Sequence, residues 1–353
     1  MSKLFSPLKI RGIKLKNRIV VSPMCQYSSK DGMPSDWHLV HLGSRAAGGA
    51  ALTIQEATAV SPEGRISPED AGIWNDAQAE AYKKINAFIK SQNCVPGIQL
   101  AHAGRKASTY APWRGSGEVK IGEGGWQTVA PSPEQYSDKN PVPKEMDKTD
   151  IEKVINDFRN GARRCLHAGY ELIELHMAHG YLLHQFYSPF SNHRKDEYGG
   201  CFENRTRLAV EITRAVRSVL PDDFPLFIRI SCTDWAEGGW NLEQSIKLVK
   251  LLKAEGADLI DCSSGGNLPN VKIPAGPGYQ IPFSAKIKKE ADILTGGVGF
   301  ITLPEQAEQI IRTEHADVVL IAREFLRDPY WPMHAAKSLK TDIQWAKQYE
   351  RAR

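Results

Sequence analysis

Short runs of β-branched and apolar residues alternate along the chain with longer stretches in which apolar positions recur at helical spacing. The short runs have the length of buried strands, and the longer stretches have the pattern of amphipathic helices. The predicted strands are Arg18–Met24, Ala51–Ala59, Pro96–His102, Glu171–His176, Leu226–Ser231, Leu259–Ser263, Ile293–Gly296 and Val318–Ala322. The helical stretches include Asp76–Lys90, Asp150–Ala168, Glu203–Val219, Leu242–Glu255 and Pro304–Thr313. Eight strands alternating with helices predict an α/β fold, a (β/α)8 barrel rather than a doubly wound sheet.

The connection after the third strand, residues 103–149, is unusually long. It contains six glycines and five prolines, together with Trp113 and Trp126. A loop beyond about 15 residues is usually either functional or disordered. Because the two tryptophans argue against disorder, we expect a folded cap over the barrel mouth.

Composition narrows the class of protein. The 353 residues carry a formal charge of +4 with both signs interspersed, so neither a nucleic-acid partner nor a membrane surface is expected. The six cysteines show no Cys-x-x-Cys spacing, which favours a reducing compartment over a disulfide framework or an iron–sulfur cluster. No signal peptide begins the chain, and no apolar run approaches 18 residues. These features predict a cytoplasmic protein.

The end of the fourth predicted strand carries the strongest chemical signal. His176, His179 and Tyr181 follow a buried run directly, and the carboxyl ends of barrel strands are where sites are built. Two imidazoles can donate to one substrate oxygen while a phenol supplies a proton, so the cluster points to electrophilic activation with general acid chemistry. A metal site, or histidines that merely cap the strand, are the alternatives.

Further polar or small residues lie at the ends of other strands. They are Ser22, Pro23, Met24, Cys25, Tyr27, Ala57, Gln99 and His102. Arg229 lies inside the fifth strand, and a buried arginine requires an anionic or strongly accepting partner. We favour a bound ligand as that partner, with an internal carboxylate as the alternative.

The last two strands predict a phosphate site. The seventh runs into a glycine-rich segment that contains Gly297 and Gly299, and the eighth ends in Ala322 and Arg323. Loops after strands seven and eight form the usual phosphate site of such barrels. A dinucleotide-binding fingerprint is not supported, because the third glycine is missing.

Several motifs together resemble those of the old yellow enzyme family, most closely its bacterial "thermophilic-like" branch of NADPH dehydrogenases similar to xenobiotic reductase. The motifs are Ser22-Pro-Met-Cys25, Gln99-Leu-Ala-His-Ala-Gly-Arg-Lys106, His176-Met-Ala-His-Gly-Tyr181, the segment 191–200 and the segment 323–329. The resemblance spans nearly the whole chain. It implies an FMN-binding barrel that takes hydride from NADPH or NADH and delivers it to activated alkenes, namely enones, enals and nitro compounds.

The resemblance also implies residue roles. The residues implied along the flavin edge are Ser22, Pro23, Met24, Cys25 and Ala57. Gln99 and Arg229 would contact the pyrimidine end of the flavin. Those implied at the ribityl phosphate are Gly297, Ala322 and Arg323. The position of Arg105 and Lys106 fits either the nicotinamide phosphates or a solvated surface.

On the substrate side, the resemblance implies that His176 and His179 bind the carbonyl or nitro oxygen. Tyr27 would add a contact, and Tyr181 would protonate the α-carbon. In the branch that this chain resembles, the counterpart of Arg351 enters a neighbouring subunit's pocket, which implies a homodimer or homotetramer.

We therefore expect one FMN-binding domain, residues 1–353, with a capping excursion at 103–149 and a tail at 340–353 at a dimer interface. The competing hypothesis is a metal-dependent barrel hydrolase that uses His176 and His179. Asp261 or His102 would be its further ligand.

Overall fold

Eight parallel strands form a closed barrel in the computed structural model, which describes residues 2–352. Met1 and Arg353, the two ends of the predicted domain, lie outside the described residues. The strands are β1 (Leu8–Ile10), β2 (Ile13–Leu15), β3 (Ile19–Val21), β4 (Leu52–Ala59), β5 (Val95–Ala101), β6 (Val129–Ala130), β7 (Lys144–Glu145), β8 (Leu172–Met177), β9 (Leu226–Ser231), β10 (Leu259–Ser263), β11 (Leu294–Gly297) and β12 (Val318–Ile321). Around the barrel the order is β3, β4, β5, β8, β9, β10, β11 and β12, which pairs with β3.

Helices lie between the barrel strands, as the alternating pattern requires. They are α1 (Asp36–Ala47), α2 (Asp76–Ser91), α3 (Lys148–His167), α4 (Leu182–Tyr187), α5 (Phe202–Arg217), α6 (Leu242–Ala254), α7 (Ile281–Ala291), α8 (Pro304–Arg312), α9 (Arg323–Arg327) and α10 (Trp331–Ser338). Short 3₁₀ turns occur at Pro62–Gly64, Gly104–Lys106, Ile121–Glu123 and Lys347–Ala352. Polar caps fix several helix starts, because the first N–H groups of a helix have no internal partner. Asp147, for example, accepts from the N–H of Asp150 at 2.9 Å.

Packed apolar side chains fill the interior of the barrel. They come from successive strands and include Val20, Leu52, Ile54, Leu172, Phe227, Leu259 and Leu320. The hairpin β1–β2 closes the amino-terminal end of the barrel, where Ile10 and Leu15 join the same cluster. This packing leaves the carboxyl-terminal mouth as the end that is open to chemistry.

The barrel prediction is confirmed, and each predicted strand has its counterpart. The largest boundary difference is in the first strand, which was predicted to reach Met24 but ends at Val21. Ser22 still donates its N–H to the carbonyl of Ile321 at 3.0 Å. Pro23 has no N–H and cannot continue the ladder, so the chain leaves the sheet there. Helices α1, α4, α7, α9 and α10 were not among the predicted stretches.

The excursion at residues 103–149 is folded and contains β6, β7 and two 3₁₀ turns. Trp126 donates from its indole N–H to the carbonyl of Glu63 at 2.9 Å, and the guanidinium of Arg65 lies 4.6 Å from its ring centroid. Trp113 is 67% exposed, yet its ring meets that of Tyr27 edge-on at 5.7 Å. Trp126 thus anchors the excursion, and Trp113 contacts Tyr27 in the segment after β3.

Within residues 2–352, no helix is long and apolar enough to cross a bilayer.

Candidate active site

Two imidazoles and a phenol meet where β8 ends, at the carboxyl-terminal mouth of the barrel. His176 is the second-to-last residue of the strand, His179 lies in the following loop, and Tyr181 immediately precedes α4. The ring centroid of His176 is 5.1 Å from that of His179 and 5.0 Å from that of Tyr181, in both cases edge to face. The structure therefore brings together the three side chains that the sequence singles out.

The backbone after β8 is held in an uncommon conformation. His179 has φ of 60° and Gly180 has φ of 71°, both in the left-handed region. A Cβ at position 180 would lie 2.2 Å from the carbonyl oxygen of Gly266, so only glycine fits. The N–H of His179 donates to Ser231 Oγ at 2.9 Å, and the N–H of Gly180 donates to His184 Nδ1 at 2.9 Å. These bonds fix the direction in which His179 and Tyr181 project.

A buried pair behind the loop completes its support. His184 Nε2 lies 2.9 Å from Asp234 Oδ1, and neither side chain is exposed. Because His184 Nδ1 accepts from Gly180, the ring proton lies on Nε2 and is donated to Asp234. Ser188 Oγ donates to the other oxygen of Asp234 at 2.6 Å. Sequence reasoning missed this pair, since nothing in the spacing of the two residues links α4 to the loop after β9.

Lys106 is half-buried beside the site. Its Nζ donates to the carbonyls of His179 and Gly266, at 2.9 and 3.1 Å. The same nitrogen lies 5.0 Å from the ring centroid of Tyr181 and 4.5 Å from that of Tyr136. Burial lowers the pKa of Lys106 to about 8, with a smaller contribution from the charge of Arg105. The ammonium therefore braces the loop that carries the candidate catalytic residues.

The surroundings set the protonation states of the three side chains. Burial holds the pKa of His176 well below its usual value, and the neighbouring His179 and Arg229 lower it further. Burial also lowers the pKa of His179, again with Arg229 as the first charged contributor. Each imidazole is thus neutral at pH 7 and carries one N–H. Burial raises the pKa of Tyr181, so its phenol is protonated.

Arg229 has internal carboxylate partners, which corrects our preference for a ligand as its only counter-charge. Its Nε donates to Asp261 Oδ2, and Glu174 Oε1 lies 3.9 Å away. Nη2 donates to Ser22 Oγ at 2.6 Å, and Gln99 Nε2 donates to Glu174 Oε1 at 2.8 Å. A guanidinium in a barrel interior needs a counter-charge within the protein, and the adjacent strand supplies one. Arg229 still lines the cavity at the mouth, so a ligand contact remains open to it.

The segment after β3 is tied to the strand end next to it. The N–H of Gln26 donates to Glu56 Oε2 at 2.6 Å, and the other oxygen of Glu56 is 3.1 Å from His38 Nε2. This anchoring places Cys25 and Tyr27 within side-chain hydrogen-bonding range of each other. Burial raises the pKa of the Cys25 thiol, which is therefore protonated.

Other predicted cofactor residues occupy separate places around the mouth. Ala57 lines a small cavity together with Tyr181 and Asp70. Met24 packs against the outer apolar cluster that contains Phe325. Asp70, a carboxyl group that the sequence did not suggest, thus lies beside Tyr181. Burial raises the pKa of Asp70 to about 7.

A cavity of about 210 Å³ runs from the barrel interior toward the last two strands. Its lining includes Ser22, Pro23, His179, Arg229, Gly299, Phe300, Ala322 and Arg323. Gly297, the predicted phosphate glycine, does not line it: a Cβ there would meet Ile281 at 2.8 Å, on the helix side of β11. Gly299 takes that place, with φ of 123°. Within residues 2–352, Arg323 forms no ion pair, and its guanidinium lies 4.4 Å from the Phe300 ring centroid.

Arg351 lies apart from this cavity, exposed in the 3₁₀ turn Lys347–Ala352. Tyr349 in the same turn approaches Tyr330, with their hydroxyl oxygens 3.2 Å apart. Arg351 is therefore not part of the cavity formed by the same chain.

The metal hypothesis finds no ligand set. Asp261 is bound to Arg229, and His102 Nδ1 accepts from the N–H of Gly104 at 3.1 Å. In the described part of the chain, no group of three His, Cys, Asp or Glu side chains is arranged to hold an ion.

A model of the family described as "NADH:flavin oxidoreductase / NADH oxidase family" matches residues 3–342. The chain belongs to this family. It is 49% identical over 350 residues to an "NADPH dehydrogenase" of Geobacillus sp. (strain WCH70), covering 99% of this chain and 98% of that protein. A protein of the same name from Listeria monocytogenes is 48% identical over 354 residues, covering 100% and 99%. The fold is similar to that of morphinone reductase, with a TM-score of 0.81 and 24% identity over 97% of this chain and 91% of that one.

Membership confirms the resemblance to the old yellow enzyme family, with FMN as the cofactor and a nicotinamide as the reductant. The protein is an FMN-dependent oxidoreductase, and the hydrolase hypothesis is not supported. The roles of individual residues in cofactor binding and catalysis remain predictions.

Proposed function

We propose that this protein is an NAD(P)H-dependent ene-reductase acting on the activated C=C bonds of enones, enals and nitro compounds. FMN, when bound, accepts a hydride from the nicotinamide and passes one to the alkene β-carbon. One observation carries the proposal: two neutral imidazoles and a protonated phenol converge at the mouth of a cavity lined by Arg229 and Arg323. That arrangement suits polarisation of an oxygen and delivery of a proton.

The side chains around the cavity fit FMN. Arg323 has no carboxylate partner within the described residues, as an arginine that holds a phosphate requires. Gln99 uses its amide nitrogen on Glu174 and keeps its amide oxygen as an acceptor for a ring N–H. Ser22 Oγ accepts from Arg229, which leaves its own proton for donation. The Cys25 thiol adds a weak donor beside them.

His176 and His179 would bind the carbonyl or nitro oxygen of the substrate. A neutral imidazole donates one N–H, and it costs no charge burial in the apolar mouth. Hydrogen bonds aimed at a developing oxyanion draw electrons away from the β-carbon. Nδ1 of His176 is buried without a partner in the described structure, which fits a site where a ligand supplies the missing contact.

Tyr181 would transfer its phenolic proton to the α-carbon. Its raised pKa keeps that proton in place at neutral pH until a carbanion-like carbon develops nearby. Tyr27, which contacts Trp113 of the excursion, would add a substrate contact below the cap.

Replacement of the histidines tests this assignment. His176→Ala and His179→Ala should keep FMN, while phenol binding and enone reduction are lost by on the order of 10²-fold for each removed donor. His167→Ala, at an exposed histidine, is the matched control. Spectral titration with a phenol and stopped-flow reoxidation of the reduced enzyme give the two measurements. Loss of flavin with unchanged turnover per remaining flavin would contradict the assignment.

We further propose a single domain that assembles into a homodimer or homotetramer in which Arg351 reaches a neighbouring mouth. Its exposure and its distance from its own cavity support this role, since the planar guanidinium can stack on a substrate ring. NADPH is the proposed reductant, with NADH as the alternative. A cytoplasmic location is proposed from the six cysteines, all of which are free.

A further inference from the structure

Three ionisable side chains from adjacent strands meet inside the barrel, just below the cavity. Arg229 on β9 pairs in register with Asp261 on β10. Glu174 lies on β8, two positions before the residue that pairs with Arg229, and its Oε1 is 3.9 Å from Arg229 Nε. Glu174 and Asp261 are fully buried, and Arg229 is 5% exposed. The site proposed above uses only Arg229 and leaves both carboxyl groups without a role.

The charges of this cluster do not balance if every group is ionised. Two carboxylates and one guanidinium would leave a net negative charge in a region without solvent. An uncompensated buried charge is costly, and two carboxylates that share a site do not both ionise readily. One additional proton would make the cluster neutral.

The hydrogen bonds show where that proton fits. Glu174 Oε1 accepts from Gln99, and Asp261 Oδ2 accepts from Arg229. In the described structure no donor reaches Glu174 Oε2 or Asp261 Oδ1, although both atoms are buried. The two carboxyl groups lie within hydrogen-bonding range of each other. A proton shared between the two carboxyl groups supplies the hydrogen bond between them and makes the cluster neutral.

We propose that Glu174 and Asp261 share one proton, and that, at a pH high enough for the dyad to have lost it, the dyad takes a proton up again when bound FMN is reduced. The proposal rests on the proposed flavin site. Reduction delivers two electrons and places negative charge next to Arg229, which favours the protonated form of a nearby carboxyl. The additional proton comes from solvent and is bound by Glu174 wherever that residue is ionised in the oxidised enzyme. Glu174 and Asp261 are positioning residues here, because they act through Arg229.

The surroundings agree with a proton held by Glu174. The pKa of Glu174 is raised to about 8, first by burial and then by the charge of Asp261 and the hydrogen bond to it, against the opposing effect of Arg229. Arg229 is the charged group that faces the pair, while Gln99 and Ser22 face the cluster as neutral groups. The neighbouring titratable groups along β8 and β10 are His176, which burial keeps neutral, and Cys262, whose thiol pKa burial raises.

Infrared difference spectroscopy of the purified protein tests the shared proton directly. At pH 7 the spectrum of the wild type minus that of Glu174→Gln should show the C=O stretch of a buried carboxylic acid, because the contribution of Asp70 is the same in both proteins and cancels. Glutamine keeps an oxygen for Gln99 and an N–H for Asp261, so the variant should fold. Glu171→Gln, at an exposed glutamate on the same segment, is the matched control and should keep the band. A difference spectrum of wild type minus Glu174→Gln without this band would overturn the shared proton.

The midpoint potential of the FMN-loaded protein tests the coupling. Above about pH 8, the wild-type potential should fall with pH more steeply than that of Glu174→Gln. The difference should approach about 30 mV per pH unit, because one more proton changes a two-electron equilibrium tenfold per unit. Asp261→Asn removes the counter-charge of Arg229 and should raise the potential at every pH. Equal slopes in wild type and Glu174→Gln would refute proton uptake by the dyad.

The two proposals fail separately. A protein that binds FMN and reduces enones, but shows no carboxylic-acid band, refutes the dyad alone. A protein that shows the band but binds no FMN refutes the proposed flavin site and its coupling, and leaves the shared proton standing.

Discussion

Lys106 provides a sharp test of the electrostatics around Tyr181. Its ammonium lies 5.0 Å from the phenol ring and donates to the carbonyl of His179. When Tyr181 gives up its proton, a phenolate forms beside this cation. Lys106→Met removes the charge and the two hydrogen bonds, while a side chain of similar length remains to fill the space.

The size of the effect follows from the distance. With the phenolate charge placed at the ring centroid of Tyr181, 5.0 Å from Lys106 Nζ, the two unit charges attract by about 3 kcal/mol at an effective dielectric near 20. With half of the charge developed in the transition state, the loss is about 1.5 kcal/mol, or roughly tenfold in rate. We expect this decrease in reoxidation of the reduced enzyme by an enone, and no change in flavin reduction by NADPH.

Stopped-flow absorbance of each half-reaction, measured against pH, is the assay. Because burial lowers the pKa of Lys106 to about 8, the wild-type enone step should slow as pH rises through that value. In Lys106→Met the rate of the enone step should not show this decrease with pH. Lys106→Arg keeps the charge and should restore most of the rate. If Lys106→Met reoxidises at the wild-type rate with the same pH profile, the cation does not act on Tyr181.

Three further outcomes can be checked on the same preparations. Tyr181→Phe should leave flavin reduction unchanged and slow the enone step, whereas oxygen should still reoxidise the flavin; a slowed reductive half-reaction would reassign the phenol. Deletion of residues 349–353 should raise the KM for enones at unchanged FMN content, and wild-type kinetics or a monomeric intact protein in sedimentation would refute the shared site. Asp234→Ala leaves the N–H of His184 and the hydroxyl of Ser188 without an acceptor in the interior, and should lower the free energy of unfolding by about 2 to 6 kcal/mol, measured by denaturant titration; a change below about 1 kcal/mol would show that the pair is not needed.

The fold was predictable because its signal is local and repeated. Each barrel strand is a short apolar run, and β8 is buried at all six positions. The cluster at 176–181 was equally visible, because one strand end delivers all three side chains within six residues. The boundary error at Pro23 shows the limit of this reasoning: a run of apolar residues does not reveal where a missing N–H stops the ladder.

Partners that lie far apart in sequence were not predictable. Asp261 stands 32 positions from Arg229 and is bound to it only because β9 and β10 are neighbours in register. Gly297 was predicted at the phosphate site, yet position 297 faces the helices and the cavity is lined by Gly299, two residues further on.

A chain pattern indicates which residue types reach the mouth of the barrel. The direction in which each side chain points, and the opposite charge that lies next to it, depend on the neighbouring strand. For Arg229 this distinction has a functional consequence. The carboxylate of Asp261 offsets part of the charge of Arg229, so Arg229 stabilises negative charge on a ligand less than an unpaired arginine would. Glu174 adds a second negative charge near Arg229 when it is ionised, so its protonation state also determines how strongly Arg229 acts on the ligand.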